Sequence, residues 1–426
     1  MYLQRVKITN IRSIGNLEFQ FPKPAGWHVL IGDNGAGKST ILRSIALAIL
    51  GPREALSLRL PWNQYIAKGQ GEGTIELRVQ RQDYDRYTGK ARSLKRPFDA
   101  GVKIALEKDN GHNITGNISS FKQYRHADNY IWSGSAGWFS TSFGPFRRFT
   151  GGNKDWGKVY YSNPRAGAHL SVFGEDVALT ESLEWLRELN YQKLEGNEKS
   201  QRELDCLIKF INEGELLPHG ASISGVSSNG VQLHDGNGRE IDITEMSDGF
   251  RSILSLTFEL LRQMVLVYGS EEVFKNIEAS DLRIDLPGVV LIDEVDAHLH
   301  PTWQARVGQW FTKYFPALQF IVTTHSPIIC RAADQGSIWR LAAPGGGNES
   351  YKVEGDERKR LIYGNILDAF STGLFGHNIT SSEAAIEMLE KLAHLNKKSV
   401  RGTISNSENI ERQSLIAIFP TDSFEL

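Results

Sequence analysis

A chain of 426 residues is long enough for one large domain or for two to three ordinary ones. Its composition, 40% hydrophobic and 23% charged, is typical of globular proteins, and a net charge of −2 provides no overall attraction to nucleic acid or membrane. Two cysteines are too few for a disulfide framework, and we find neither a signal peptide nor an apolar run of membrane-spanning length. We therefore expect a soluble protein of the reducing cytoplasm, with no membrane partner.

The first motif in chain order is a glycine-rich loop. The apolar stretch GWHVLIG predicts a strand that ends at Gly32, and residues 32–39 then fit G-x-x-x-x-G-K-[S/T] before an apolar run at helical spacing. Backbone N–H groups of such a loop surround phosphate oxygens, Lys38 would contact the β- and γ-phosphates, and the Ser39 hydroxyl would hold Mg²⁺. The alternative is a turn that only caps a helix. We predict contacts to ATP from Asn34, Gly35, Ala36, Gly37, Lys38, Ser39 and Thr40.

Two basic segments follow in the middle of the chain. The first, between Arg86 and Arg96, has tyrosines nearby and predicts strands around a basic turn. It either grips a phosphate backbone and stacks a base, or is a solvated hairpin tip, which we favour slightly. The second, FGPFRRF, carries Arg147 and Arg148 and is either a nucleotide-sensing lid or a loop pinned by its aromatic residues. Nucleic acid therefore stays open as a partner.

The next segments predict helices. ESLEWLRELNYQKL and QRELDCLIKFINEGELL are apolar at helical spacing and are separated by EGNEKS, which indicates a helical pair because sustained heptads are missing. Further on, Ser247 and Gly249 stand in SDGFR directly before an apolar periodic run. This position is typical of a helix N-cap, or of a helix N-terminus offered to a phosphate.

Acidic residues and a histidine end two predicted core strands. VVLID is a continuous apolar run of the type found in buried parallel strands, and Asp293 at its end is placed to hold Mg²⁺. Glu294 beside it is the natural general base for an attacking water. FIVTTH ends in His325, which either hydrogen-bonds the γ-phosphate or the water, or is structural. Asp296, His298 and His300 alternate as metal ligands can, but a third and fourth ligand are missing and Pro301 favours a turn of the chain instead.

Taken in order, GDNGAGKS, SDGFR, LIDE, DAHLH and TTHS resemble the Walker A, signature, Walker B, D-loop and switch histidine of ABC-type ATPase heads of the SMC/RecF group. The resemblance implies an α/β fold of the P-loop NTPase class, with a mixed or parallel sheet, flanking helices, β-rich and helical insertions and a C-terminal helical extension. It also implies that Arg12 lies near the nucleotide. Two heads would dock around two ATP molecules, with Ser247 and Gly249 of one head contacting the γ-phosphate bound by the other. The SDG triplet departs from the SGG of transporters.

The C-terminal sequence narrows the resemblance. The short head, together with DEVDAHLHP, FGPFRRF and YGNILDAF…TSSE, resembles stand-alone bacterial anti-phage defence ATPases, namely the PtuA-type proteins of Septu and retron systems, with AriA and OLD-family heads as relatives. Such proteins work beside a separately encoded nuclease or toxin. The resemblance therefore implies an ATP-dependent homodimer or higher oligomer that controls a nuclease effector. The alternative is a RecF-like repair ATPase that binds DNA directly.

We expect four segments. Residues 1–75 and 241–345 would form the two parts of the head, the first with Walker A and the second with the remaining motifs. Residues 76–240 would be an insertion region, β-rich and basic and then helical, and residues 346–426 a helical extension.

Overall fold

The fold was analysed in a computed structural model, which describes residues 1–85, 96–108, 114–120, 125–132, 138–149, 162–174, 179–228, 230–344, 349–365 and 383–419. The chain divides into two compact units, Met1–Gly364 and Asn365–Leu426. The basic segment Arg86–Lys95 and most of the stretch YGNILDAF…TSSE lie outside the described residues. The four-segment division expected from the sequence stays a prediction.

The strands are β1 (Tyr2–Ile11), β2 (Ile14–Gln20), β3 (Gly26–Ile31), β4 (Glu72–Gln80), β5 (Phe98–Lys108), β6 (Ile114–Ser120), β7 (Ser140–Phe143), β8 (Ser222–Ser227), β9 (Gly230–His234), β10 (Glu240–Asp242), β11 (Gly288–Ile292), β12 (Leu318–Thr324), β13 (Gly336–Arg340) and β14 (Tyr351–Lys352). The α-helices are α1 (Lys38–Leu56), α2 (Arg125–Tyr130), α3 (Pro164–His169), α4 (Thr180–Leu194), α5 (Glu198–Glu213), α6 (Asp248–Tyr268), α7 (Ser270–Glu278), α8 (Pro301–Tyr314), α9 (Gly355–Tyr363), α10 (Glu383–Val400) and α11 (Asn406–Ile418).

The central sheet of the first unit has six strands in the order β14-β13-β3-β12-β11-β7. Its neighbours are paired in parallel except for the edge strand β14, which is antiparallel to β13. Val29 in β3 stands opposite Val322 in β12 and Ile338 in β13. Strands β3, β11 and β12 are buried along their whole length, as the continuous apolar runs predicted. The predicted α/β fold with a mixed sheet is confirmed.

Helix α1 packs between this sheet and a second one. The second sheet is antiparallel, with strand order β2-β1-β4-β5-β6. Ile41 and Ile45 of α1 belong to one core cluster together with Ile8 and Leu77 of the antiparallel sheet and Ile321 of the central sheet. A helix that is apolar on nearly all sides must be covered on both faces, and the run ILRSIALAIL has this property. The first helical residue is thereby fixed next to the C-terminal end of β3.

Strand β7 is a member of the central sheet that the sequence analysis did not assign. Its four residues lie within the segment expected to be an insertion, yet β7 pairs in parallel with β11, and Phe143 stands opposite Ile292. Such a short strand carries little periodicity, so only the pairing reveals it. The chain leaving β7 at Gly144 therefore runs past the C-terminal end of β11.

Helices α4 and α5 and strands β8, β9 and β10 form a further part of the first unit, outside the two larger sheets. Helices α4 and α5 contact each other where a helical pair was predicted, and Trp185 Nε1 donates to Glu203 Oε1 at 3.2 Å. Strands β8, β9 and β10 form a separate antiparallel sheet. The Asn212 amide at the end of α5 bonds both the N–H and the C=O of Ile223, which joins the sheet to the helix.

In the second unit, α10 and α11 pack against each other through Leu392, Leu395 and Leu415. Ser405 and Glu408 form a capping box at the start of α11. Throughout the described part of the chain, no helix combines the length and the apolarity needed to cross a membrane.

Candidate active site

The glycine-rich loop follows β3 and requires its glycines. Gly35 and Gly37 have φ values of +80° and +91°, in the left-handed region that residues with a Cβ rarely adopt. A Cβ on Gly37 would lie 3.4 Å from Ser13 Oγ and 3.3 Å from Ile14 Cγ1, so the turn between β1 and β2 closes on the loop. The exposed positions Asn34 and Gly35 form the outer rim. The backbone is therefore shaped as the phosphate-loop motif predicts.

Lys38 is the first residue of α1, and its ammonium group is held inside the loop. Its Nζ donates to the carbonyl oxygens of Gly32 at 2.7 Å and Asp33 at 3.0 Å. Burial lowers the pKa of Lys38, and the nearby carboxylates of Glu294 and Asp293 oppose this shift. In the part of the chain that the structure describes, no carboxylate forms an ion pair with it within 4.0 Å. A buried ammonium bonded to neutral carbonyls favours an incoming anion.

The N-terminus of α1 adds to this preference for an anion. The first turn contains Lys38, Ser39 and Thr40 and has no acidic residue. Unpaired N–H groups and the helix dipole at this end attract negative charge. Ser39 is partly exposed, as a hydroxyl that binds a metal ion must be, whereas Thr40 is buried.

Two arginines lie beside the loop. Arg12, in the turn between β1 and β2, has φ +51°, and its guanidinium lies 4.4 Å from the centre of the Tyr65 ring. It directly precedes Ser13, whose Oγ would lie 3.4 Å from a Cβ on Gly37, and a position of Arg12 near the nucleotide stays a prediction. Arg340 at the end of β13 pairs with Asp33 at 3.2 Å. No sequence pattern predicts this pair, because the two residues meet only through the β3–β13 register.

Asp293 and Glu294 are joined by one threonine of the neighbouring strand. Because Ile292 stands opposite Val322, Asp293 falls beside Thr323. The buried Thr323 hydroxyl donates to Asp293 Oδ1 at 2.6 Å and accepts the Glu294 N–H at 2.7 Å. Glu294 has φ +45° and is partly exposed. The Asp293 carboxylate, which suits a metal ion, is thus fixed in position. The Glu294 carboxylate, which suits a general base, is accessible.

His325 is placed by the next acid along the chain. Thr324 Oγ1 donates to Asp296 Oδ1 at 2.5 Å, and the His325 N–H donates to Asp296 Oδ2 at 3.4 Å. The imidazole itself is exposed. Asp296 therefore positions the backbone that carries His325 next to the turn that carries Glu294.

The signature residues lie against the D-loop segment. Ser247 is the N-cap of α6, but its side chain makes no capping hydrogen bond and is exposed. A Cβ on Gly249 would lie 2.8 Å from the carbonyl oxygen of His298, so only glycine allows this contact without a shift. The two segments line an open cleft of about 350 Å³, formed by Ser247, Asp248, Gly249, Phe250, His298, Leu299, His300 and Trp303.

The alternating histidines match the predicted turn. His300 is the N-cap of α8, where its side chain accepts from the Thr302 N–H, and His298 has φ +64°. Among the residues that the structure describes, no group of three or more His, Cys, Asp or Glu side chains is arranged to hold a metal ion.

Arg147 differs from the expectation of a lid or a nucleic-acid contact. Its side chain is 4% exposed, and its N–H groups donate to the backbone carbonyls of Asp293 at 2.9 Å and Glu294 at 3.1 Å. Phe149 is buried against Phe258 of α6. Phe149 anchors this segment, but Phe146 is 39% exposed, so the aromatic residues pin the loop only in part. The buried Arg147 side chain supports the Glu294 turn. Its role was missed because only the pairing of β7 with β11 brings Gly144–Phe149 to that turn.

The described residues fit ATP and Mg²⁺. The loop provides a buried cation and a helix N-terminus for phosphates, and Ser39 and Asp293 provide the oxygen ligands that Mg²⁺ prefers. The ion, when bound, would neutralise negative charge on the phosphates.

Comparison with known proteins gives a family match over most of the head. A family model described as "AAA domain, putative AbiEii toxin, Type IV TA system" matches residues 28–331. This range includes the phosphate loop, the signature helix, both acids and His325. The prediction of a P-loop ATPase domain is confirmed.

The chain is also similar to individual proteins. It is 25% identical to the Septu protein PtuA of Bacillus mycoides, over 79% of this chain and 40% of that protein. It is 37% identical to the "Retron Ec83 probable ATPase" of Escherichia coli, over 25% of this chain and 18% of that protein. The chain thus spans less than half the length of these curated relatives. The solved SMC head domain from Thermotoga maritima matches 83% of this chain and all of its own, with 15% identity and a TM-score of 0.41. The relatives confirm the resemblance to PtuA-type Septu and retron ATPases.

Proposed function

Because this chain belongs to the AAA-domain family whose model covers residues 28–331, we propose that it is the ATP-hydrolysing switch subunit of a bacterial anti-phage defence complex. Two copies dock head to head around ATP and control a separately encoded nuclease effector. The observation that carries the hydrolytic part of the proposal is the single hydroxyl of Thr323, which joins Asp293, the proposed metal ligand, to the turn of Glu294, the proposed base. Such an arrangement serves hydrolysis, whereas binding alone requires no base.

The chemistry follows from the positions of the side chains. Lys38 and the N-terminus of α1 neutralise the phosphates, and Ser39 and Asp293 hold Mg²⁺. Water attacks the γ-phosphorus, the bond to the bridging oxygen of ADP breaks, and Glu294 accepts the proton of the water. His325 hydrogen-bonds the γ-phosphate or the water. Phosphoryl transfer needs positioning and charge neutralisation more than covalent help, which these residues supply.

Head-to-head docking is supported by the unused donor at the signature. The Ser247 hydroxyl is exposed and does not cap its own helix. Because Gly249 has no Cβ, the backbone at this position can lie close to the D-loop. A hydroxyl and a helix N-terminus directed at solvent are suited to a phosphate that another head presents.

The role in defence is supported by the relatives rather than by the site. Two of these relatives are a Septu protein and a retron ATPase. The Arg147 side chain of FGPFRRF is buried and so does not offer its charge to DNA. A direct DNA clamp is the competing outcome. A steep fall of DNA affinity with salt concentration would favour it.

Two substitutions test hydrolysis. Lys38→Ala removes the buried cation and should abolish tight ATP binding, with Lys359→Ala on the exposed face of α9 as the control. Glu294→Gln should bind ATP normally, lose hydrolysis and accumulate as the ATP-bound dimer, with the exposed Glu271→Gln as its control. Hydrolysis by Glu294→Gln at the wild-type rate would show that Glu294 is not the base.

Mixing two inactive proteins tests docking in trans. Ser247→Arg blocks the signature and Lys38→Ala blocks the phosphate loop, so each protein alone should be inactive. A mixed dimer contains one intact composite site, made by Lys38 of one copy and Ser247 of the other, and should regain part of the activity. No recovery at any mixing ratio would argue against head-to-head docking.

The effector is sought by measuring mass. Glu294→Gln, co-expressed with its genomic neighbours and purified with and without ATP and Mg²⁺, should form a stoichiometric complex with a neighbouring nuclease. An ATP-dependent dimer with no neighbour attached, combined with salt-sensitive DNA binding, would contradict the switch and support the DNA clamp.

A further inference from the structure

The buried guanidinium of Arg147 connects three parts of the head. Its donors reach the Asp293 carbonyl (Nη1, 2.9 Å), the Gly144 carbonyl (Nη1, 3.0 Å), Ser252 Oγ (Nε, 3.1 Å), the Glu294 carbonyl (Nη2, 3.1 Å) and the Val295 carbonyl (Nη2, 3.5 Å). These acceptors belong to the segment after β7, to the turn after β11 and to α6. Arginine alone among side chains offers five donors in one rigid plane.

The turn after β11 needs such a support. Glu294 has φ +45°, a conformation that residues with a Cβ rarely adopt and that persists only when the surroundings enforce it. Arg147 binds the carbonyls of Asp293, Glu294 and Val295 from one side, while Thr323 binds the Glu294 N–H from another. The backbone is held in place, and the Glu294 side chain keeps its direction.

The same guanidinium also reaches the signature helix. Ser252 lies in the second turn of α6, close to the N-cap Ser247, and its buried hydroxyl accepts from Arg147 Nε. A displacement of α6 along its axis would therefore shift the Arg147 guanidinium, which also holds the Glu294 turn.

The charge of Arg147 is retained in this environment. Burial lowers its pKa to about 10, and the carboxylates of Asp296, Asp293 and Glu294 oppose the shift. The residue is thus positively charged at neutral pH while it donates to neutral acceptors. Lysine would keep the charge but offers three donors from one point instead of a fork.

We propose that Arg147 is a positioning residue that couples the signature helix to the turn carrying the hydrolytic base of the same head. A γ-phosphate presented to Ser247 by the partner head would move α6, and Arg147 would transmit this to Glu294, so that docking licenses hydrolysis. The coupling rests on the proposed function. Its mechanical part, the bracing of residues 293–295 by Arg147 and Ser252, does not.

Two variants and one control test the proposal. Arg147→Lys removes the fork and Ser252→Ala removes only the acceptor on α6. Arg360→Lys, at an exposed position of α9, is the matched control because it makes the same chemical change away from the site. We expect Arg147→Lys to lower kcat at least tenfold with KM for ATP within twofold, Ser252→Ala to lower kcat about threefold, and Arg360→Lys to match wild type. In the Glu294→Gln background neither variant should lower the residual rate further, because both act through Glu294. A further loss there, or an equal change in KM, would overturn the coupling.

Hydrogen exchange supplies a readout that does not depend on activity. In Arg147→Lys and, more weakly, in Ser252→Ala, amides of residues 293–300 should exchange at least threefold faster, while those of residues 38–50 stay unchanged. Unchanged exchange at 293–300 in both variants would refute the bracing. If the wild-type protein did not hydrolyse ATP, the proposed function would be refuted. The exchange data would still show whether Arg147 braces residues 293–295. Ser252→Ala, the milder change, keeps the test available if Arg147→Lys does not fold.

Discussion

Thr323→Val isolates the hydroxyl that joins the two acids. Valine has nearly the same shape as threonine, so the change removes one buried O–H and leaves the packing of β12 intact. Two hydrogen bonds are lost: the donation to Asp293 Oδ1 at 2.6 Å and the acceptance of the Glu294 N–H at 2.7 Å. The first distance is typical of an O–H bound to an ionised carboxylate.

The expected cost can be worked out from these two bonds. A hydrogen bond to a charged group contributes about 1.5–3 kcal/mol, and the bond to the partly buried Glu294 N–H contributes about 0.5–1.5 kcal/mol, so the free energy of unfolding should fall by about 2–4.5 kcal/mol. An unfolding entropy of about 2.1 cal/mol/K per residue over Met1–Gly364 gives about 0.8 kcal/mol/K. The melting temperature should therefore drop by about 3–6 °C.

The assay is thermal unfolding of wild type, Thr323→Val and the control Thr141→Val, each followed by calorimetry. Thr141 is also buried in the central sheet, but its hydroxyl donates only to the neutral Ala168 carbonyl at 2.8 Å. We expect the control to lose about 1–2 kcal/mol. Equal losses in both variants would refute the claim that a charged acceptor and the Glu294 turn depend on Thr323. A selective loss should be accompanied by a higher Mg²⁺ requirement for hydrolysis, because Asp293 is no longer oriented.

Two further predictions concern pH and the signature. Burial lowers the pKa of His28 to about 4 and that of His169 to about 3, so between these values and about pH 6.5 the folded state binds fewer protons than the unfolded state. The free energy of unfolding, measured with urea, should therefore fall by about 2 kcal/mol per histidine from pH 6.5 to pH 5. A free energy of unfolding that does not change with pH would contradict neutral buried imidazoles. Gly249→Ala places a Cβ 2.8 Å from the His298 carbonyl oxygen, so the D-loop must shift. We expect the affinity for ATP to stay within twofold of wild type and the rate of hydrolysis to fall at least tenfold. Full activity would show that the contact between Gly249 and His298 is not required.

The sequence by itself determined the motifs whose chemistry is local. A loop with Gly35 and Gly37 before Lys38 is shaped by its own backbone, since positive φ values are open to glycine, and the helix that follows is apolar enough to be buried wherever it packs. Continuous apolar runs likewise indicated β3, β11 and β12 as core strands. Asp293 and Glu294 were found because acids at the end of such a run have few structural reasons to be there.

Only the tertiary structure decided which distant residues serve those motifs. Thr323 meets Asp293 through the β11–β12 register, and Arg147 reaches the Glu294 turn because the four-residue strand β7 joins the edge of the sheet. No pattern within either segment encodes these meetings. The sequence around Arg147 left a nucleotide-sensing lid and a loop pinned by its aromatic residues as alternatives. In the fold the guanidinium is buried, and its donors satisfy the carbonyls of Asp293 and Glu294. Which distant side chain satisfies a buried backbone carbonyl or N–H is a property of the fold, because the two segments come together only when the strands are in register.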